Sequence, residues 1–235
     1  MGTPASTPAA SLARPRWTAL GFMVGSFLFA IGVPLSLNTG LSPAVAGWVF
    51  FAGSVFFTAA AVLQFLTSRA ELEPVGGSDR SWFAALGRPR TVDWTASAVQ
   101  LIGTVAFNVS TLRAALDAAG SHLSYQLVWR PDIFGSVLFL VSSGLAFAPE
   151  VRRRRHDHVR GRSWSIAALN LLGSVLFGLS AIGAYLDPTT NQLLSARWSN
   201  LGTMSGALCF LAGAALLLPS RTQGGQRVSR PARPT

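Results

Sequence analysis

Catalysis needs ionisable, nucleophilic or metal-binding groups within reach of one another, and this chain offers few that can meet. Its histidines are His122, His156 and His158. All three fall in polar stretches between long apolar runs. None can serve as base to a serine buried in a membrane span, nor pair across helices as haem ligands. His156, Asp157 and His158 are close enough in sequence to hold a metal, but Arg152, Arg153, Arg154, Arg155, Arg160 and Arg162 flank them and repel a cation. Cys209 stands alone and cannot form an internal disulfide. The expectation is a protein that is not an enzyme, without catalytic residues, metal or cofactor.

Three groups of polar residues remain. Gln64, Gln100, Asn108 and Asn170 lie inside apolar runs, where an amide serves helix-to-helix hydrogen bonding or lines a path for a solute. Arg113, Asp117, Arg130, Asp132, Asp187 and Arg197 all fall on one side of the apolar runs, as three positive and three negative charges able to pair around a shallow vestibule. Arg152, Arg153, Arg154 and Arg155 form a block on the other side, suited to anionic lipid headgroups at roughly 1 kcal/mol per residue. Ionisable residues inside spans usually mark function, and none is expected in the cores of these.

Of the 235 residues, half are hydrophobic and 12% are charged, against about 25% charged in soluble domains. That deficit points to a bilayer, and apolar runs of roughly 17–25 residues have the length to cross one. The fold class expected is an all-α polytopic membrane protein with six spanning helices, at 17–37, 44–66, 94–113, 131–149, 163–186 and 198–219. They group as hairpins 17–66, 94–149 and 163–219. A disordered tail (1–16), a loop (67–93) with a candidate interfacial helix over Ser81–Leu86, a basic loop (150–162) and a disordered basic tail (220–235) connect and flank them. Pro131 is read as the first residue of the fourth helix. The net charge is +10 and every one of the 19 basic residues is arginine. Arginines beside apolar spans orient a membrane protein rather than bind nucleic acid. With both termini cytoplasmic, 16 of the 19 arginines lie inside, and only Arg113, Arg130 and Arg197 fall outside.

The spans share a pattern. Trp94–Leu116 and Trp164–Leu186 align without a gap, matching at Gly103/Gly173, Phe107/Phe177 and Ser110/Ser180 among others. Gly-(Ser/Thr)-x-x-Phe recurs as Gly25–Phe29, Gly53–Phe57, Gly103–Phe107, Gly135–Phe139 and Gly173–Phe177, with Gly206–Phe210 as an alanine-containing variant. Gly and Phe four residues apart share one helix face. Helices in lipid associate through close packing and hydrogen bonds. The glycine admits a neighbouring backbone, the hydroxyl bonds a carbonyl, and the phenylalanine fills the groove at a partner's glycine. Two-span units repeat with the same orientation, about an axis along the membrane normal. Gly135, only three residues beyond Asp132, is expected nearer the outer surface than the other glycines.

A two-helix hairpin with Gly-Ser-x-x-Phe in each helix resembles the YrhK-type membrane domain, best over the last four spans and more loosely over the first two. The resemblance implies a bacterial inner-membrane protein and carries over no catalytic residue. The expected role is association with lipid (anionic lipid included), with further copies of the chain or with a membrane complex. A small transporter or channel with a polar path past Gln100, Asn108 and Asn170 is the alternative.

The orientation is checked by reporter fusions. Those at Gly120 and Asn191 should report the outside, and those at Gly77 and His158 the inside. Gly77 and Gly120 reporting the same side would refute six spans.

Overall fold

The computed structural model describes residues 8–70, 91–121, 125–157, 161–190 and 192–218. Six helices carry them: α1 (Pro8–Leu37), α2 (Pro43–Ala70), α3 (Val92–Leu116), α4 (Tyr125–Asp157), α5 (Arg162–Gly183) and α6 (Ala196–Leu217). All six are long and apolar enough to cross a membrane, so the fold is all-α and polytopic. Each helix packs on its neighbours in sequence, and α1 also packs on α6. The six close into a ring. One end, the terminal face, carries the N-terminal ends of α1, α3 and α5. The other, the loop face, carries the α1–α2, α3–α4 and α5–α6 connections.

The ring is held at the glycines. A Cβ added to Gly25 would lie 2.6 Å from the Phe57 ring and 2.8 Å from the Gly53 carbonyl oxygen, and one on Gly53 would lie 3.0 Å from Phe29. Between α3 and α4, Gly103 meets Phe139 at 2.9 Å and Gly135 meets Phe107 at 3.2 Å by the same measure. Between α5 and α6, Gly173 meets Phe210 at 3.1 Å and Gly206 meets Phe177. In each hairpin, the phenylalanine of one helix covers the glycine of the other. The six rings then converge on the ring's axis. Phe57, Phe139 and Phe210 form a triangle with centroids 5.8–6.2 Å apart, and Phe29 and Phe107 each lie 5.8 Å from Phe177. Most meet edge to face, the favoured geometry for aromatic quadrupoles, worth about 0.5–1.5 kcal/mol per pair beyond burial.

The hydroxyl beside each of the first five motif glycines is fully buried, and Ala207 takes that place after Gly206. Ser54, Thr104 and Ser174 donate to the carbonyls of Phe51, Leu101 and Asn170 at 2.8–2.9 Å. Ser54 also meets Thr111, and Ser174 meets Ser143, across the seams between hairpins. Ser26 and Ser136 bond nothing among the described residues.

Several boundaries differ from the sequence reading. α1 is helical from Pro8, inside the stretch expected as a disordered tail, because Ala, Leu and Arg after a proline at the first position favour a helix. α4 continues to Asp157 through Arg152–Arg155, which the sequence placed in a loop. Arginine is a good helix former, and cations suit a helix C-terminus. After α5, Leu186–Asp187 pairs antiparallel with Gln192–Leu193, where no strand was expected. The candidate helix at Ser81–Leu86 and the tail 220–235 lie outside the described residues.

The largest difference is at Pro131. It lies inside α4, which begins at Tyr125, after a π-turn over Asp117–Ser121 in which Gly120 takes φ 99°. A proline inside a helix leaves the carbonyl four residues earlier without its donor. That carbonyl belongs to Leu127, and Arg113 Nη1 of α3 donates to it at 2.8 Å. Ser110 Oγ similarly donates to the Val128 carbonyl at 2.8 Å. The borrowed donor lets α4 start early, which sets Gly135 level with Gly103 rather than nearer the surface.

Two stability tests follow, both read as unfolding in detergent. Gly202→Ala places a methyl 2.6 Å from the Leu176 carbonyl oxygen, whereas Gly178→Ala meets nothing within 4 Å. The first should cost about 1–3 kcal/mol, and the second should be neutral or stabilising. Equal melting would refute close approach at Gly202. Arg113→Leu should cost about 1 kcal/mol in the native chain and much less in a Pro131→Ala background, where residue 131 supplies its own N–H. An equal cost in both backgrounds would refute the link.

Candidate functional site

Between the phenylalanine layer and the terminal face, the helices present small or polar side chains to the axis: Ala96, Ser97, Ala146, Ala167 and Ala214. No ring fills the space, and a cavity of about 410 Å³ results. Phe22, Phe57 and Phe210 line it where it meets the phenylalanine layer. Gln64, Gln100 and Asn170 line its walls, and Pro15, Asp93, Glu150, Ser163 and Leu217 line it near the helix ends. Seven residues separate Asp93 from Gln100 and another seven separate Gln100 from Phe107, about 10 Å of helix each. The cavity therefore runs from the terminal face well into the bundle.

Its polar groups are under-used. Gln100 Oε1 accepts from Ser142 Oγ at a long 3.5 Å. The Gln64 and Asn170 side chains have no hydrogen-bond partner among the described residues. A primary amide has two donors and an acceptor to satisfy, and leaving them unmatched in an apolar medium is costly. A cavity that admits water or a solute removes that cost. Asn108 lies outside the cavity and donates Nδ2 to Thr58 Oγ1 at 2.8 Å across α2–α3, the helix-to-helix role, while its buried Oδ1 has no partner among the described residues. The charged side chains lining the cavity, among the described residues, are both acidic: Asp93 and Glu150. Glu150 is bridged by the exposed Arg153 at 3.0 Å. Arg162 Nε donates to the Leu216 carbonyl at 2.5 Å, and its Nη2 donates to that of Leu218, capping the end of α6.

On the loop face, three of the six charges of the expected cluster, Arg113, Arg130 and Asp187, form bonds outside it. Arg113 serves Leu127, and Arg130 bonds Gln126 on its own helix at 3.1 Å. Asp187 accepts from the hydroxyl and backbone N–H of Thr189, which hold its carboxyl below the usual range. Arg197 is exposed, and Asp117 is partly buried. Asp132 is half-buried one to two turns before Ser136 and Phe139, a spacing that puts it on their face of α4. The expectation of spans free of ionisable groups fails here, because it started α4 six residues late. Nearby, Tyr125 donates to the Ala184 carbonyl and Trp129 Nε1 to that of Ala181 at 2.8 Å, sealing α4 to α5.

Arg152 and Arg153 are exposed, and the side chains of Arg154 and Arg155 lie outside the described residues, as do His122 and His158. Among the described residues, no three of His, Cys, Asp and Glu gather as metal ligands. The sequence reading missed Asp93 and Glu150 as cavity residues. Their only signal was position, one helical stretch toward the terminal face from the amides. Comparison with protein-family models, with curated proteins and with solved structures returned no match.

Solvent access is checked with cysteines in a Cys209→Ala background. Gln100→Cys should react with a membrane-impermeant thiol reagent. Phe139→Cys, in the buried layer, and Ile102→Cys, 55% exposed on the outside of the ring, should not. Silence at Gln100 would mean a cavity closed to water.

Proposed function

We propose that this chain is a small transport protein or channel, whose cavity is a vestibule for a solute and whose six phenylalanines are the barrier. The observation that carries the reading is the cavity with unmatched amides, ending on a layer of packed rings. A purely associative membrane protein has no need of uncommitted amides along its axis. Hydrophobic constrictions gate permeation by excluding water, and two stacked groups of three phenylalanines have that character. The side opposite the vestibule is packed and cross-linked by Ser110, Ser180, Tyr125 and Trp129, which fits a closed state.

The terminal face is assigned to the cytoplasm, and the protein to the bacterial inner membrane, on the arginine bias and the likeness of each hairpin to the YrhK-type domain. In this reading the ring is three copies of one hairpin. Association with anionic lipid is a second role that the exposed Arg152 favours, without conflict with the first.

The barrier is tested in proteoliposomes. Replacing Phe57, Phe139 and Phe210 together by Ala should raise permeability to urea and small ions several-fold over the native chain, while Phe27→Ala, on the outside of the ring at 53% exposure, should not. A folded triple variant as tight as the native chain would refute a path through the axis.

A further inference from the structure

We infer that the vestibule takes a small organic cation of the alkylammonium class. The inference rests on the cavity being a solute site, and it adds the chemistry of the solute.

The first observation is charge. The ionisable groups lining the cavity, Asp93 and Glu150, are both acidic, and no basic side chain lines it among the described residues. Of the arginines near this end whose side chains are described, none lines the cavity. Arg153 pairs with Glu150 from the exposed side, Arg162 caps carbonyls of α6, and Arg16 and Arg152 are exposed. An anion entering here would meet two acidic side chains and, among the described residues, no basic one. With Glu150 bridged by Arg153, Asp93, exposed in the first turn of α3, has no ion-pair partner among the described residues.

The second observation is aromatic. Phe22 and Phe57 lie 5.3 Å apart at 65°, and Phe57 and Phe210 lie 5.8 Å apart at 81°. Three rings set steeply to one another form the inner end of the cavity. Rings in such an arrangement attract an ammonium ion through their quadrupoles, and aromatic boxes are a recurring way to hold alkylated ammonium groups. Metal cations, strongly hydrated, gain little from such a surface.

The third is the wall between them. The carbonyl oxygens of Gln64, Gln100 and Asn170 can accept from an N–H, and Ala96, Ile166, Ala167 and Leu217 give alkyl groups an apolar surface. A volume of about 410 Å³ lies in the range of small-molecule sites. The ammonium end enters past Asp93 and Glu150 and comes to rest on the rings.

The test measures binding of four probes to the full-length protein in nanodiscs, by saturation-transfer NMR: tetramethylammonium, isobutylammonium, neutral tert-butanol and acetate. The two ammonium ions should bind. Asp93→Asn with Glu150→Gln should weaken both by about tenfold, the range expected of lost charge complementarity, with the helical melt confirming that the variant folds. tert-Butanol and acetate should show no transfer. Equal binding of tert-butanol and the cations overturns the cation assignment and leaves the vestibule as a site for neutral solutes. Preference for acetate also overturns it. If none of the four binds the native chain, both the cation assignment and the solute-site reading fall. These arms use the native chain, so a variant that fails to fold does not spare the proposal.

Discussion

Helices in a bilayer gain nothing by hiding apolar surface from one another, because lipid is equally apolar. What holds this ring is contact at van der Waals distance, and a bare glycine makes that contact possible. At Gly25–Gly53, Gly103–Gly135 and Gly173–Gly206, a single added methyl meets a carbonyl oxygen or a ring at about 3 Å or less. The depth at which the helices cross, the convergence of six phenylalanines and the closure of the ring all depend on that approach. A phenylalanine one turn beyond each glycine then occupies the groove the partner's glycine leaves, so hairpin packing and axial packing use the same side chains.

From this layer the two ends of the bundle diverge. Toward the loop face, donors are matched to acceptors across helices: Ser180 donates to the Ser199 carbonyl at 2.7 Å, Asn108 to Thr58, Trp129 to Ala181, and Arg113 to the carbonyl that Pro131 vacates. Toward the terminal face, alanines and serines replace the rings, Ser142 donates to the Ala96 carbonyl and Ser68 meets Ser97 across helices, and the Gln64 and Asn170 amides lie along the space without partners among the described residues. A packed aromatic layer with an open cavity on one side of it is the arrangement on which the proposed transport role rests.

Much of the architecture was legible in the chain. Glycine and phenylalanine at a spacing of four place both on one face, and their recurrence in every apolar run points to close packing, although the single shared layer was not read because Gly135 was expected nearer the outer surface. The start of α4 was not legible. A proline after a loop-like stretch reads as a first residue, and only a donor 18 positions earlier in sequence, Arg113, makes it an interior one. Asp132 was read at the very start of that helix for the same reason, rather than a turn or more inside it. The cavity left a weaker trace still. Ala96, Ala146, Ala167 and Ala214 are ordinary in any membrane helix, and it is their meeting around one axis that opens a space. Gln100 and Asn170, at equivalent positions, were noticed, but their orientation is a tertiary property.

The central claim is that a dry aromatic layer closes a hydrated vestibule. An experimental structure in lipid nanodiscs, at a resolution that places water, tests it most directly. The account predicts ordered water bonded to Gln64, Gln100 and Asn170, and none among Phe29, Phe57, Phe107, Phe139, Phe177 and Phe210. Water threading between those rings, or amides paired helix to helix with no water beside them, would contradict it.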